Sequence, residues 1–125
     1  MDRSVLSFFA KHEGALPIYQ AFEKALFAAL PDTRMKVQKT QISFYNKHQF
    51  ACVSFLRVRP KKELPNPYLV VTFGLVHRVD SPRIAAATEP YPERWTHHVI
   101  LDTPTVVDEK LMSWVEEAAA FAAVK

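Results

Sequence analysis

A chain of 125 residues has the size of one domain, and an apolar content of 49% suits a packed globule over a disordered segment. One cysteine, Cys52, excludes an intramolecular disulfide, and no apolar run approaches the roughly 20 residues of a membrane span. The net charge is only +3, yet residues 35–62 carry seven basic side chains and no acid, which favours an anionic partner over any particular chemistry.

The predicted elements start with Ser4 to His12, where Val5, Leu6, Phe8 and Phe9 form a helical stripe that stops by Gly14. A second helix begins at Pro17, a good first-turn residue. Ile18, Phe22, Ala25, Leu26, Ala29 and Leu30 then follow the spacing of a buried helix face, and Pro31 ends it. Between here and the last helix the period changes to two. Met35–Tyr45 reads as a strand or a pair of short strands, and Phe50–Val58 as a strand. Tyr68–Arg78 puts Leu69, Val71, Phe73 and Leu75 on one face. Arg83–Glu89 and Trp95–Leu101 complete the set. Short links between consecutive strands favour an antiparallel meander. The last helix starts at Asp108, an N-cap with Glu109 beside it. Leu111, Val115, Ala118 and Ala122 line its apolar face, widened by Trp114 and Phe121.

The expected fold is therefore α+β: one domain over 1–125, with an antiparallel sheet of four or five strands. Two N-terminal helices and one C-terminal helix cover one face of it. Phe22, Leu26, Phe73, Leu75, Trp114 and Val115 should share one core. No charged-then-apolar leader opens the chain, so the expected location is cytoplasmic.

Three stretches are candidates for function. Lys39 to Phe55 interleaves basic residues, amides and rings on strands, as a single-stranded nucleic-acid platform does. Alternation places Lys39, Gln41, Ser43 and Tyr45 on one face, with Lys36 facing away. The same pattern also fits a solvated sheet face. Gly74 to Trp95 gathers His77, Arg78, Asp80, Arg83, Glu89 and Arg94 around a strand end and two loops. Arg78 and Arg83 would grip a carboxylate or phosphate, unless Asp80 and Glu89 pair with them structurally. Arg94 to Leu101 holds the adjacent His97 and His98, which must point to opposite faces and cannot together chelate one metal. One of them is a possible general base near neutral pH.

Cys52 lies among Phe50, Ala51 and Val53, and a buried apolar thiol is an inert one. No Gly-rich phosphate loop, nucleophile elbow or metal-ligand spacing is present, so neither cofactor nor metal is expected. Arg57 and Arg59 should share a face near the loop that carries Lys61 and Lys62.

The KTQISF strand, the RVDSPRIA segment, the RWTHHV strand and the DEKLMSWVEEA helix resemble the family called domain of unknown function 5655. The likeness runs from about Phe8 to about Phe121. It is more distantly similar to the bacterial YdhG-like domains. The resemblance implies a small α+β fold with helices on an antiparallel sheet. It marks Lys39, Gln41, Tyr45, Arg94 and His97, but supplies no activity and no catalytic residues.

Three readings follow. The first is a small binding module for an anionic small molecule, a peptide or a partner protein, away from membranes. The second is a nucleic-acid module using residues 35–62. The third is an enzyme using His97 with Tyr45 or Lys39, for which nucleophile, base and orienting group cannot be named together.

Overall fold

The computed structural model describes residues 2–125. Three helices form where the apolar stripes lie: α1 (Arg3–Phe8), α2 (Leu16–Ala29) and α3 (Glu109–Val124). The Asp2 carboxylate accepts the Ser4 amide at 2.9 Å and caps α1. Pro17 sits in the first turn of α2. The Asp108 carboxylate accepts the Leu111 amide at 3.0 Å and caps α3. α1 is shorter than its stripe, because the chain turns at Phe9 and re-enters a helical path through a 3₁₀ turn at Glu13–Ala15.

Six strands form one sheet: β1 (Arg34–Val37), β2 (Gln41–Tyr45), β3 (Gln49–Ser54), β4 (Leu69–Leu75), β5 (Ile84–Tyr91) and β6 (Arg94–Leu101). Their order is β1-β2-β3-β4-β6-β5, and every neighbouring pair is antiparallel. The expectation of four or five strands is corrected to six. Residues 35–45 do not run straight. They fold back at Gln38, whose amide donates to the Gln41 carbonyl at 2.8 Å.

That turn also corrects a facing. Lys36 pairs with Ser43, so it shares the face of Ser43 and does not oppose it. Met35 and Val37 take the other face and pack on the core. β3 ends at Ser54, short of Val58, because Phe55 leaves the sheet to pack on Phe8 and Phe9.

Alternation in the central strands separates two faces. Ile42, Phe44, Val53, Val71, Phe73, Leu75 and Val99 lie under α2 and α3 and belong to one core. Phe22 of α2 meets Phe44 edge-on at 5.7 Å, and Trp114 of α3 stacks on Phe73 at 6.0 Å. All six residues expected to share a core do so. Burying a side chain such as Phe73 contributes roughly 1.5–3 kcal/mol. At the far end, the β2–β3 turn holds α3: Asn46 Nδ2 donates to the Ala119 carbonyl at 2.9 Å, and His48 Nδ1 lies 3.0 Å from the Ala122 carbonyl. Among the described residues, no helix is long and apolar enough to cross a membrane.

Candidate functional site

The face of the sheet away from the helices carries a polar row. The strand register places Ser43, Cys52, Thr72 and His98 side by side on β2, β3, β4 and β6. Their hydrogen bonds lie along this face, within a strand and between strands. Gln41 Nε2 donates to Ser43 Oγ at 2.7 Å, and Ser43 Oγ donates to Gln38 Oε1 at 2.6 Å. Thr72 Oγ1 lies 2.8 Å from His98 Nδ1. With Thr72 as the donor, His98 Nε2 carries the proton and is left as a donor of its own.

One end of this row is the floor of a cleft of about 630 Å³. Gln41, Cys52, Ser54, Thr72 and His98 form the floor. The end of α1 and the turn after it supply one wall, through Ser7, Phe8, Lys11 and His12. Phe55 and Leu56 supply another, and Lys39 and Thr40 stand at the rim. The wall is aromatic and braced: Phe8 stacks on Phe55 at 5.6 Å, and His12 stacks on it at 3.9 Å. Phe55 reaches this place only because it leaves the sheet. Lys11 and Lys39 are exposed, and neither makes an ion pair among the described residues.

Burial tunes the floor. It raises the Cys52 thiol above its ordinary value, an effect partly offset by the Thr72 hydroxyl in hydrogen-bonding reach. It lowers His98, so that ring is neutral near pH 7. A neutral imidazole, two hydroxyls and an amide bind by hydrogen bonds. A protonated thiol at 7% exposure is a poor nucleophile. Among the described residues, no group of three or more His, Cys, Asp or Glu could hold a metal ion.

The residues singled out from sequence scatter. Lys39 and Gln41 line the cleft. Tyr45 lies beyond it, with the Arg34 guanidinium 4.8 Å from its ring centre. Arg78 lies over Trp95 at 5.8 Å, and Arg94 over Phe121 at 4.9 Å. Arg83 Nη1 donates to both Asp108 carboxylate oxygens, at 2.8 and 2.9 Å, and Nη2 donates to the Val106 carbonyl at 2.8 Å. That guanidinium holds the Asp108 carboxyl below its ordinary range.

His97 is fully buried on the helix face. Its ring stacks on Phe73 at 5.1 Å, and Nε2 accepts the Val79 amide at 2.9 Å. Its Nδ1 has no partner among the described residues. His97 and Lys39 are therefore not brought together, nor are His97 and Tyr45. Arg57 and Arg59 separate as well: Arg59 lines a small cleft with Pro82, Arg83 and Ile100, and Arg57 lines another with Lys61.

Sequence reasoning did not single out Thr72, Lys11 or His12, and of the two adjacent histidines it marked His97 for the site and not His98. His98 had one signal, its place beside His97, which forces one of the two onto the open face. Thr72 and Cys52 become neighbours of His98 only through strand order.

The fold and cleft define an α+β protein with α2 and α3 on one face of an antiparallel sheet and a cleft on the other; the expectation that all three helices cover one face is corrected, because the end of α1 walls that cleft. The chain belongs to the family described as Domain of unknown function (DUF5655), which matches residues 5–122. No curated protein and no solved structure matches it.

Proposed function

We propose that this chain is a small binding module that takes an anionic ligand with an apolar or aromatic body in the cleft beside α1. One observation carries the reading: an aromatic wall, a polar floor drawn from four strands and two unpaired lysines converge on one cavity of about 630 Å³. Small-molecule sites have this mix of apolar lining and few placed polar groups, at volumes of roughly 300–1,000 Å³. The ring of the ligand would lie against Phe55 and Phe8. Its charged group would face Lys39 and Lys11, with Gln41 and His98 fixing its orientation.

Amide chemical-shift titration with phenyl phosphate, benzoate and benzyl alcohol tests this. The two anions should shift Gln41, Ser54, Thr72 and His98. Benzyl alcohol should bind about tenfold more weakly, the value of one modest charged contact. Lys39→Glu together with Lys11→Glu should remove the preference for anions. Shifts absent from this row at millimolar phenyl phosphate would end the proposal.

A further inference from the structure

A second cleft, of about 490 Å³, adjoins the first. Lys11 and His12 line both, so the two cavities meet across one dipeptide. The second is bounded by Arg57, Lys61, Asn66, Pro67 and Tyr68. It exists because the chain before α2 passes close to the 60–68 loop. A Cβ on Gly14 would sit 3.3 Å from Pro67 Cβ, a contact tight enough that a larger residue there would push on the loop.

The charge of the joined trough is one-sided. Lys11, Lys39, Arg57 and Lys61 line it, with Glu13 as its one acid. None of the four cations makes an ion pair among the described residues. The rings are spaced along it. Phe8 and Phe55 face the first cleft, Tyr68 faces the second and His12 stands between. They pack around Phe55: His12 stacks on it, Tyr68 meets it edge-on at 6.1 Å, and the Tyr68 hydroxyl donates to the Phe55 carbonyl at 2.7 Å.

Four unpaired cations exceed what one carboxylate requires. Cations spaced along a trough, with flat rings between them, match alternating phosphates and bases. The rings lie against cleft walls and not on an open sheet, which suits splayed single-stranded residues and not a paired helix. Resting on the cleft reading above, we infer that the two clefts form one bipartite site for phosphodiester-linked nucleotides. The ligand is either a free dinucleotide or two successive residues of a single strand. Lys11 at the shared ridge would meet the linking phosphate, and Arg57 and Lys61 the outer one.

The loop supplies its own control. Lys61 lines the trough, whereas its neighbour Lys62 lines neither cleft. The experiment is amide chemical-shift titration at low and moderate salt with thymidine 5′-monophosphate, the 5′-phosphorylated thymidine dinucleotide and decathymidylate. The dinucleotide should shift both Thr72 and Tyr68, and bind about tenfold tighter than the mononucleotide through its second phosphate. Lys61→Ala should weaken it about fivefold and reduce the salt slope by about 0.7, whereas Lys62→Ala should change it less than about twofold.

Decathymidylate binding at least as tightly as the dinucleotide supports the inference with a strand as the source. Weaker binding supports it with the free dinucleotide. A dinucleotide no tighter than the mononucleotide, or one that leaves Tyr68 unmoved, overturns the bipartite site. If phenyl phosphate still shifts Thr72 and His98, the single-cleft reading survives that result. Equal losses for Lys61→Ala and Lys62→Ala would reduce the contact to diffuse charge and overturn the inference too.

Discussion

His97 and His98 are neighbours in β6, yet they meet opposite surroundings. One ring lies between Phe73 and the Val79 amide beneath the helices. The other joins Thr72 at the floor of a cleft. The two faces of the sheet differ in the same way. Beneath α2 and α3, Val71, Phe73 and Leu75 are buried against other apolar groups. On the other face, Ser43 bonds to Gln38 and Gln41, and Thr72 bonds to His98 with Cys52 in reach. Polar groups that satisfy one another within the face need no layer above them, so the face tolerates a cavity. Stability is concentrated on one face, and a surface suited to recognition is left on the other.

The largest expected effect tests that division directly. Phe73→Ala should cost about 3–5 kcal/mol in denaturant unfolding, because it empties the stack between His97 and Trp114. Thr72→Val, its neighbour on the opposite face, should cost no more than about 1 kcal/mol. Equal losses would erase the distinction between the faces.

The histidines sharpen it. Burial lowers both His97 and His98. The unfolded chain binds their protons near pH 6.5, and the folded chain only below that. Their stabilising contribution is thus complete above about pH 6.5 and is lost as pH falls through the folded values. His77 acts in the opposite sense, because its hydrogen bond to Glu117 raises it. Its contribution is complete below about pH 6.5 and is lost as pH rises through the raised value. His97→Phe should lower stability but flatten the acid-side slope, by up to about 1.4 kcal/mol per pH unit. His77→Gln should leave the acid-side slope unchanged and remove the loss of stability that sets in as pH rises above about 6.5. Urea unfolding from mildly acidic to mildly alkaline pH measures both, and an unchanged acid-side slope in His97→Phe would break the assignment.

The smallest effect is a rate. Cys52 belongs to the polar face but is nearly covered, with its thiol raised by burial. A thiol reagent should label the native protein about a hundredfold more slowly than the unfolded chain. Labelling at the rate of a free thiol would show that the row is open to solvent along its length.

Much of the helix face was legible because burial leaves a periodic trace. Phe22 and Leu26 repeat at four, and Phe73 and Leu75 at two, and both pairs lie in the core. The β1–β2 turn left little trace. Gln38, Lys39 and Thr40 include neither Gly nor Pro, so two strands read equally well as one. The cleft was less legible still. Lys39 and Gln41 were marked, but Cys52, Thr72 and His98 come from three strands whose order no local pattern specifies. Lys11 and His12 sit at the end of an apolar helical stripe, where nothing local marks a wall. Arg78, Arg83 and Arg94 were marked as ligand-binding, with pairing to Asp80 and Glu89 as the alternative for the first two, yet each lies over an aromatic ring and the carboxylate that clamps Arg83 is Asp108.

That carboxylate has a wider consequence. Asp108 caps α3 and also holds Arg83, the residue immediately before β5. β5 is an edge strand, and much of it is small and apolar: Ile84, Ala85, Ala86 and Ala87. A frayed edge of this kind is a template for pairing between chains. A helix start 25 residues downstream therefore acts as the latch on that edge, so whatever loosens the start of the last helix also frees the first residues of the edge strand.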